Sequence, residues 1–576
     1  MVAMIKDNPF LLSKRDSTYI HSGEFSRKKL KQWSDRLLTG DVEHTAYELL
    51  NKLDNLNAEG IFPARRFDLL ELLQPTVDYI LESLKRRCTH CAVPLDFHRK
   101  MIADLRLSIL IQVVKGYKTV VSQLHDAKFT APMFHKDVRR DALKKAVVYL
   151  GEVLLHSYIT YQSCISYAWK ELHGIYHYSE INGLNEKKEL GTKQSYSDLT
   201  SIEDIYKQIL LLSLANPYSL SSGEVERVNL DLEALVAFVD LKPLDKEISA
   251  ESYYLIDACK DTMPCASYLQ KEESVKLGWC LVTDGLNKKL RNTIATLEAA
   301  QNSLRPTDAA TLRLMNKLRD AWLNQIRSRE IRDPSADNVD LVCGFDSIYH
   351  IRGGEDIGDA NSWQRRLNMR LSGYGRESVC SPILDNDEVL IEVDPGTLES
   401  YQVHKGATYP KLKKDQITIE RKECIAINRS ENGYCLNWAD NGEMGAHVGE
   451  LVGISHKDNV EQEANTNFGV IRWLHADCHG HMGVGVELFN GLLEPVMLHH
   501  KYEDNKWTET IRGFLQYAKS GEVVSLIAPP FYVAKDDQIR IVINSKDIPV
   551  GVTNIIESTD SFVRFKFDHI SSAVYG

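Results

Sequence analysis

Asn428, Ser430 and Gly433 stand in the pattern Asn-x-Ser-x-x-Gly. A carboxamide and a hydroxyl two positions apart bring hydrogen-bond donors and acceptors to one short stretch, and the glycine permits a tight turn beside them. That chemistry is recognition. Ahead of it runs a basic series, Lys405, Lys411, Lys413, Lys414, Arg421 and Lys422. It can attract an anion, but most of it lacks the flat, forked donor set that arginine offers to phosphate and guanine. The paired arginines considered for that task, Arg366 and Arg370 in an Arg-x-x-x-Arg pattern, lie roughly sixty residues upstream of Asn428.

Two other clusters have the side chains of metal sites. Cys88-Thr-His-Cys91 with His98 has zinc or redox spacing, yet no second cysteine pair follows at the usual distance. His475, Asp477, Cys478, His479 and His481 fall in one short loop, where a polar hairpin tip needs no metal. Gly353-Gly354 is not followed by Lys-Ser/Thr, which excludes a phosphate-binding P-loop. The chain shows no Gly-x-Ser-x-Gly elbow, His-Glu-x-x-His pair or dinucleotide fingerprint, so a metal-binding enzyme is the third and weakest reading.

The elements that must carry Asn428 to Gly433 are legible on either side of it. Cys424 to Ile427 and Tyr434 to Trp438 alternate in the two-residue period of strands around a polar insert, which predicts a hairpin. Phe468 to Leu474 and Met482 to Phe489 predict two further strands joined by the histidine-rich loop. The motif, its hairpin and this closing strand pair resemble the PilZ domain, a small bacterial β-barrel. The resemblance implies a barrel over about residues 406–500 and cyclic di-GMP as ligand. Its binding residues would be Asn428, Ser430 and Gly433, with Arg421 and Lys414 neutralising phosphate and Arg366 and Arg370 as distant arginine candidates. Many family members have Asp where this chain has Asn428, which removes charge assistance from the bond to guanine, a loss of about 1 kcal/mol.

With 576 residues, 43% of them hydrophobic and 26% charged, the chain has the make-up of a globular protein of several domains. A net charge of −11 argues against general nucleic-acid binding, which needs a basic face. No segment reaches the roughly twenty apolar residues of a membrane helix, the N-terminus lacks a secretion signal pattern, and eleven scattered cysteines read as reduced thiols. The expected location is the cytoplasm, with no membrane insertion and no cofactor.

The fold class expected is multidomain α + β: an all-α N-terminal half followed by a β-rich half with a PilZ-like barrel. After an N-terminal extension over residues 1–29, helical periods occupy 30–329. Leu37, Tyr47, Leu49, Leu50, Leu53 and Leu56 form one stripe, and Ile102, Leu105, Ile109, Val113, Tyr117, Val120 and Leu124 form another. Trp169, Leu172 and Tyr176 have the spacing of a tetratricopeptide helix, so the half is a bundle or a solenoid of that kind. Asn216-Pro217 ends one helix, and Ser221 with Glu224 offers a capping box for the next. A charged linker, Arg329 to Asn338, is expected to be exposed and to separate the halves. Residues 339–405 read as a β-containing module of unknown type, and 501–576 as an additional β module or an extension of the barrel.

The functional expectation is a cytoplasmic regulatory sensor or adaptor, not an enzyme, binding cyclic di-GMP through the barrel and a protein partner through the helical half. The alternative is an adaptor of the same architecture whose barrel has lost its ligand.

Overall fold

The structure is a computed structural model. It describes residues 25–354 and 419–569 apart from residues 38–40, 127–131, 186–200, 222, 245–252, 270–273, 300–305, 324–331, 439–444, 457–465, 478–480, 490, 502–509, 531–532, 534–535 and 544–545. The chain divides into two compact units. One comprises residues 1–337, 424–449 and 470–488, and the other 338–423, 450–469 and 489–576.

The first unit opens with helices α1 (Arg27–Leu37), α2 (Val42–Ala58), α3 (Pro63–Cys88), α4 (Phe97–Asp126), α5 (Pro132–Ile159), α6 (Ala168–Ile181), α7 (Ile202–Leu214) and α8 (Glu224–Leu235). The chemistry at their ends explains where they stop and start. The Asp41 carboxylate accepts from the Glu43 amide at the start of α2. At the other end of α2, the fully buried Arg66 donates to the carbonyls of Leu56 and Glu59, both at 2.6 Å. These are carbonyls the helix cannot satisfy by itself. Asn216 takes a left-handed φ of 54° and Pro217 begins a short 3₁₀ turn, as the Asn-Pro pair predicts. Half of the expected capping box forms: the Glu224 carboxylate accepts from the Ser221 amide at 2.8 Å. The whole α4 stripe from Ile102 to Leu124 is buried, whereas Tyr47, assigned to the α2 stripe, is 45% exposed. No helix among the described residues is long and apolar enough to cross a membrane.

One part of the helical expectation is corrected. Residues 240–282 carry a four-stranded sheet, β1 (Asp240–Pro243), β2 (Tyr253–Asp257), β3 (Cys265–Ala266) and β4 (Gly278–Val282), in the order β1-β4-β2-β3. Helices resume at α9 (Asp284–Ala299) and α10 (Pro306–Trp322). Trp279 of β4 is buried against Tyr176, with ring centres 5.1 Å apart, and Tyr176 stacks on Tyr206 at 4.2 Å. Tyr176 of the tetratricopeptide-like helix therefore packs both on the sheet and on the next helix.

The first unit also holds β5 (Asp333–Pro334), β7 (Lys422–Ser430) from Cys424 onward, β8 (Gly433–Trp438), β10 (Asn467–Ala476) from Val470 onward and β11 (Met482–Leu488). Two interhelical loops grip these strands and their connections. Val93, between α3 and α4, exchanges backbone hydrogen bonds with Ala446 at 3.0 and 2.8 Å. Between α5 and α6, Ser163 donates to Ala476 and Ala476 donates to Tyr161. The first boundary between the units falls at Asp337–Asn338, at the end of the charged linker, and the further ones fall within the β-rich half. Residues 333–337 are exposed apart from the half-buried Ser335, and their backbone is hydrogen-bonded to β7.

In the second unit β6 (Asn338–Cys343) pairs antiparallel with β9 (Leu451–His456), and α11 (Phe345–Ile351) follows β6. A closed barrel is formed by β12 (Leu492–His500), β13 (Ile511–Tyr517), β14 (Val523–Ala528), β15 (Gln538–Ile543), β16 (Lys546–Ser558) and β17 (Val563–His569), in the order β12-β13-β14-β17-β16-β15. Leu498, Leu526, Ile539, Val550 and Phe565 fill its core. The C-terminal strands close on themselves rather than extend another barrel. The module also starts at β12, before the expected boundary at residue 501. Helix α11 covers its outer face, where Asp346 accepts from Arg512 at 2.8 Å and Phe345 and Tyr349 pack on Phe514.

Candidate functional site

The strand β7 begins with Cys424 and Ala426 facing inward and Ile425 outward, so a regular strand would turn Asn428 into the core. A bulge between Ala426 and Asn428 prevents this: Ala426 pairs with Leu436, and the next pairs are Asn428 with Cys435 and Ser430 with Gly433. One extra residue, Ile427, resets the alternation and puts Asn428 on the face of Cys435 and Asn437, opposite to the buried Tyr434, Leu436 and Trp438. The sequence pattern gave no sign of this reset, because Ile427 reads as one more member of an alternating run.

Gly433 is needed for a different reason from the one expected. Its φ is outside the left-handed region, but a Cβ there would sit 2.6 Å from the carbonyl oxygen of Val486. Strand β11 runs that close to β8, with Glu487 opposite Gly433, and the Leu488 amide donates to Asn432 in the turn at 2.8 Å. Gly433→Ala is expected to lose about 1–3 kcal/mol of stability by forcing β8 and β11 apart. Urea unfolding checks this, and an unchanged midpoint would show that β11 yields without cost.

The side of β7 away from β8 is taken by the supposed linker. Asp333 pairs with Arg429 and Pro334 with Asn428, while Ser335 donates to Ile427 and Ala426 donates to Asp337. This pairing brings Arg332, exposed and one residue before β5, beside the motif. Burial pushes the Cys435 thiol up from its ordinary range, and the Arg332 guanidinium pulls against that shift. Arg429 is ion-paired with Asp337 at 3.7 Å, and Arg472 with Glu487 at 2.6 Å.

The structure brings Asn428, Ser430 and Gly433 together at the turn end of the β7–β8 hairpin. Arg421 precedes the first residue of β7, at the end of the strand away from the turn, and is half-buried. Lys414, Arg366 and Arg370 lie outside the described residues. Sequence reasoning missed Arg332, since the signal for it is a strand pairing between segments about ninety residues apart.

The other clusters have local partners. The Cys88 thiol is buried and pushed up to about 11, chiefly by desolvation, and the Cys91 thiol faces the carbonyls of Arg87 and Thr89. His475 turns to the helices, where Nε2 lies 3.2 Å from the Ser163 hydroxyl and the ring packs on Tyr218. His481 closes its loop on Asp477, and Cys478 and His479 lie outside the described residues. Among the described residues no group of three or more His, Cys, Asp or Glu side chains is placed to hold a metal.

Residues 253–495, which contain the motif, both of its flanking strands and the closing pair, match the family described as "Cyclic-di-GMP receptor FimW, middle PilZ domain". The chain carries a PilZ domain. Residues 28–246 match the companion family, "Cyclic-di-GMP receptor FimW, N-terminal domain". The PilZ match begins at β2 and ends within β12, so most of the closed C-terminal barrel lies beyond it. The chain is also similar to the cyclic-di-GMP receptor FimW of Pseudomonas aeruginosa, at 22% identity over 558 residues, covering 94% of this chain and 90% of that protein. No solved structure matches.

Proposed function

We propose that this chain is a cytoplasmic regulatory protein that binds cyclic di-GMP on the outer face of its PilZ domain and passes the signal to a protein partner through its helical half. The observation that carries the reading is the bulge in β7. It turns Asn428 outward beside Arg332, within a domain whose named relative is a cyclic-di-GMP receptor. The Asn428 carboxamide and Ser430 hydroxyl hydrogen-bond a guanine edge or phosphate, and the Arg332 guanidinium forks onto phosphate or guanine. These groups bind and orient, which makes the role regulatory rather than catalytic. The described cysteines are all free thiols, in keeping with a reducing compartment.

Calorimetric titration of cyclic di-GMP at physiological salt tests the reading. Asn428→Ala is expected to weaken binding about threefold to tenfold, the worth of one neutral hydrogen bond. Arg332→Ala is expected to weaken it about tenfold or more and to flatten its salt dependence. Equal affinities for wild type and both variants would place the ligand elsewhere. No binding to wild type at high micromolar ligand would leave the adaptor without a ligand.

A further inference from the structure

We propose that Trp473 is the aromatic platform on which one base of the bound dinucleotide stacks, while the other base is held at Asn428. This rests on the outer face of the PilZ domain being the ligand site. Glycines create the platform. A Cβ at Gly485 would lie 1.9 Å from Nε1 of Trp473 and 2.3 Å from its Cε2, and one at Gly483 would lie 3.2 Å from its Cζ3. The indole therefore lies across β11 in the space that two side chains would fill, with one face against backbone. It is half-buried, so part of it reaches solvent.

The same row of the sheet runs from this indole to the motif. Gly485 pairs with Cys435, and Cys435 pairs with Asn428. Gly485 lies under the indole, and the small Cys435 stands between it and the column of the carboxamide. Adjacent strands are about 4.8 Å apart, so the columns of Gly485 and Asn428 are separated by roughly 10 Å, a span that suits the two bases of one cyclic dinucleotide. A base stacked on an indole is recognised through its π face, and the carboxamide reads an edge. Glu487, beside this row, is paired with Arg472 at 2.6 Å.

The test compares cyclic di-GMP binding by wild type, Trp473→Phe and Trp473→Leu, with Asn428→Ala as reference. Trp473→Phe keeps a ring and is expected to stay within about threefold of wild type, whereas Trp473→Leu is expected to lose about tenfold or more. A second readout uses light: the emission of wild type minus that of Trp473→Phe isolates this indole from the other tryptophans, and ligand is expected to quench it. Wild-type affinity in Trp473→Leu, with Asn428→Ala still weakened, would overturn the platform and leave the site reading intact. No binding by wild type would overturn both. Where Trp473→Leu does not fold, an unquenched difference spectrum overturns the proposal and a quenched one supports it.

Discussion

Lowering the pH from 7 towards 4 is expected to remove about 3 kcal/mol of stability from the helical half through His173 alone. His173 is fully buried, with Nδ1 2.7 Å from the Tyr206 hydroxyl and Nε2 3.0 Å from the Thr262 carbonyl. Both bonds suit a neutral ring: Nε2–H donates to the carbonyl and Nδ1 accepts from the hydroxyl. Burial lowers its pKa from 6.5 to about 4, against smaller opposing effects of the Thr262 bond, Asp261 and Asp257. Between those two values the unfolded chain takes up a proton that the folded chain refuses. The contribution is therefore complete above the unfolded value and is lost as pH falls through the window. His156, also buried and held well below its ordinary range by desolvation and then by Arg106, acts in the same direction. Urea unfolding at several pH values measures the loss. His173→Gln should flatten the slope between pH 6.5 and 4, and a variant with the wild-type slope would remove His173 from the account.

Trp279→Ala is expected to cost about 3–5 kcal/mol, among the largest effects of any single truncation in the first unit. The side chain is buried where β4 meets α6 and α7, with ring centres 5.1 Å from Tyr176, 6.2 Å from Tyr206 and 5.9 Å from His177. Its Nε1–H donates to both carboxylate oxygens of Glu180, at 3.1 and 3.3 Å. Truncation opens a cavity among aromatic rings and leaves that carboxylate without its donor. Trp279→Phe keeps most of the volume and is expected to lose only about 1–2 kcal/mol, close to the worth of a hydrogen bond to a charged group. Denaturant unfolding followed by near-ultraviolet dichroism checks both. A loss below about 1 kcal/mol for alanine would show that the sheet does not depend on this contact.

The same tryptophan shows where sequence reading stops. The stripe from Ile102 to Leu124 is legible because a helix repeats every 3.6 residues, and a thirty-residue helix, α4, repeats its signal many times. Trp279 sits in a five-residue strand, too short to set its own period, and runs almost directly into α9, whose helical pattern masks it. Pairing with β2 and β1 makes it a strand, and no local window contains those partners.

The site divides in the same way. The sequence by itself determined that Asn428, Ser430 and Gly433 sit at a hairpin, because alternating apolar residues on either side of a polar turn can bury one face in no other way. It also determined that Val470, Trp473, Val484 and Val486 lie in strands, as β10 and β11 show. Only the tertiary structure decided which strand face Asn428 shares, because one bulged residue shifts the register of every later pair in the hairpin. It alone showed that Gly433 is fixed by the carbonyl of Val486 rather than by its own φ, that Trp473 rests on Gly483 and Gly485, and that Arg332, from a segment that reads as a linker, stands beside the motif. Each of these depends on hydrogen bonds or contacts between strands. Such pairings are set by the whole sheet and leave no trace in the residues on either side of them.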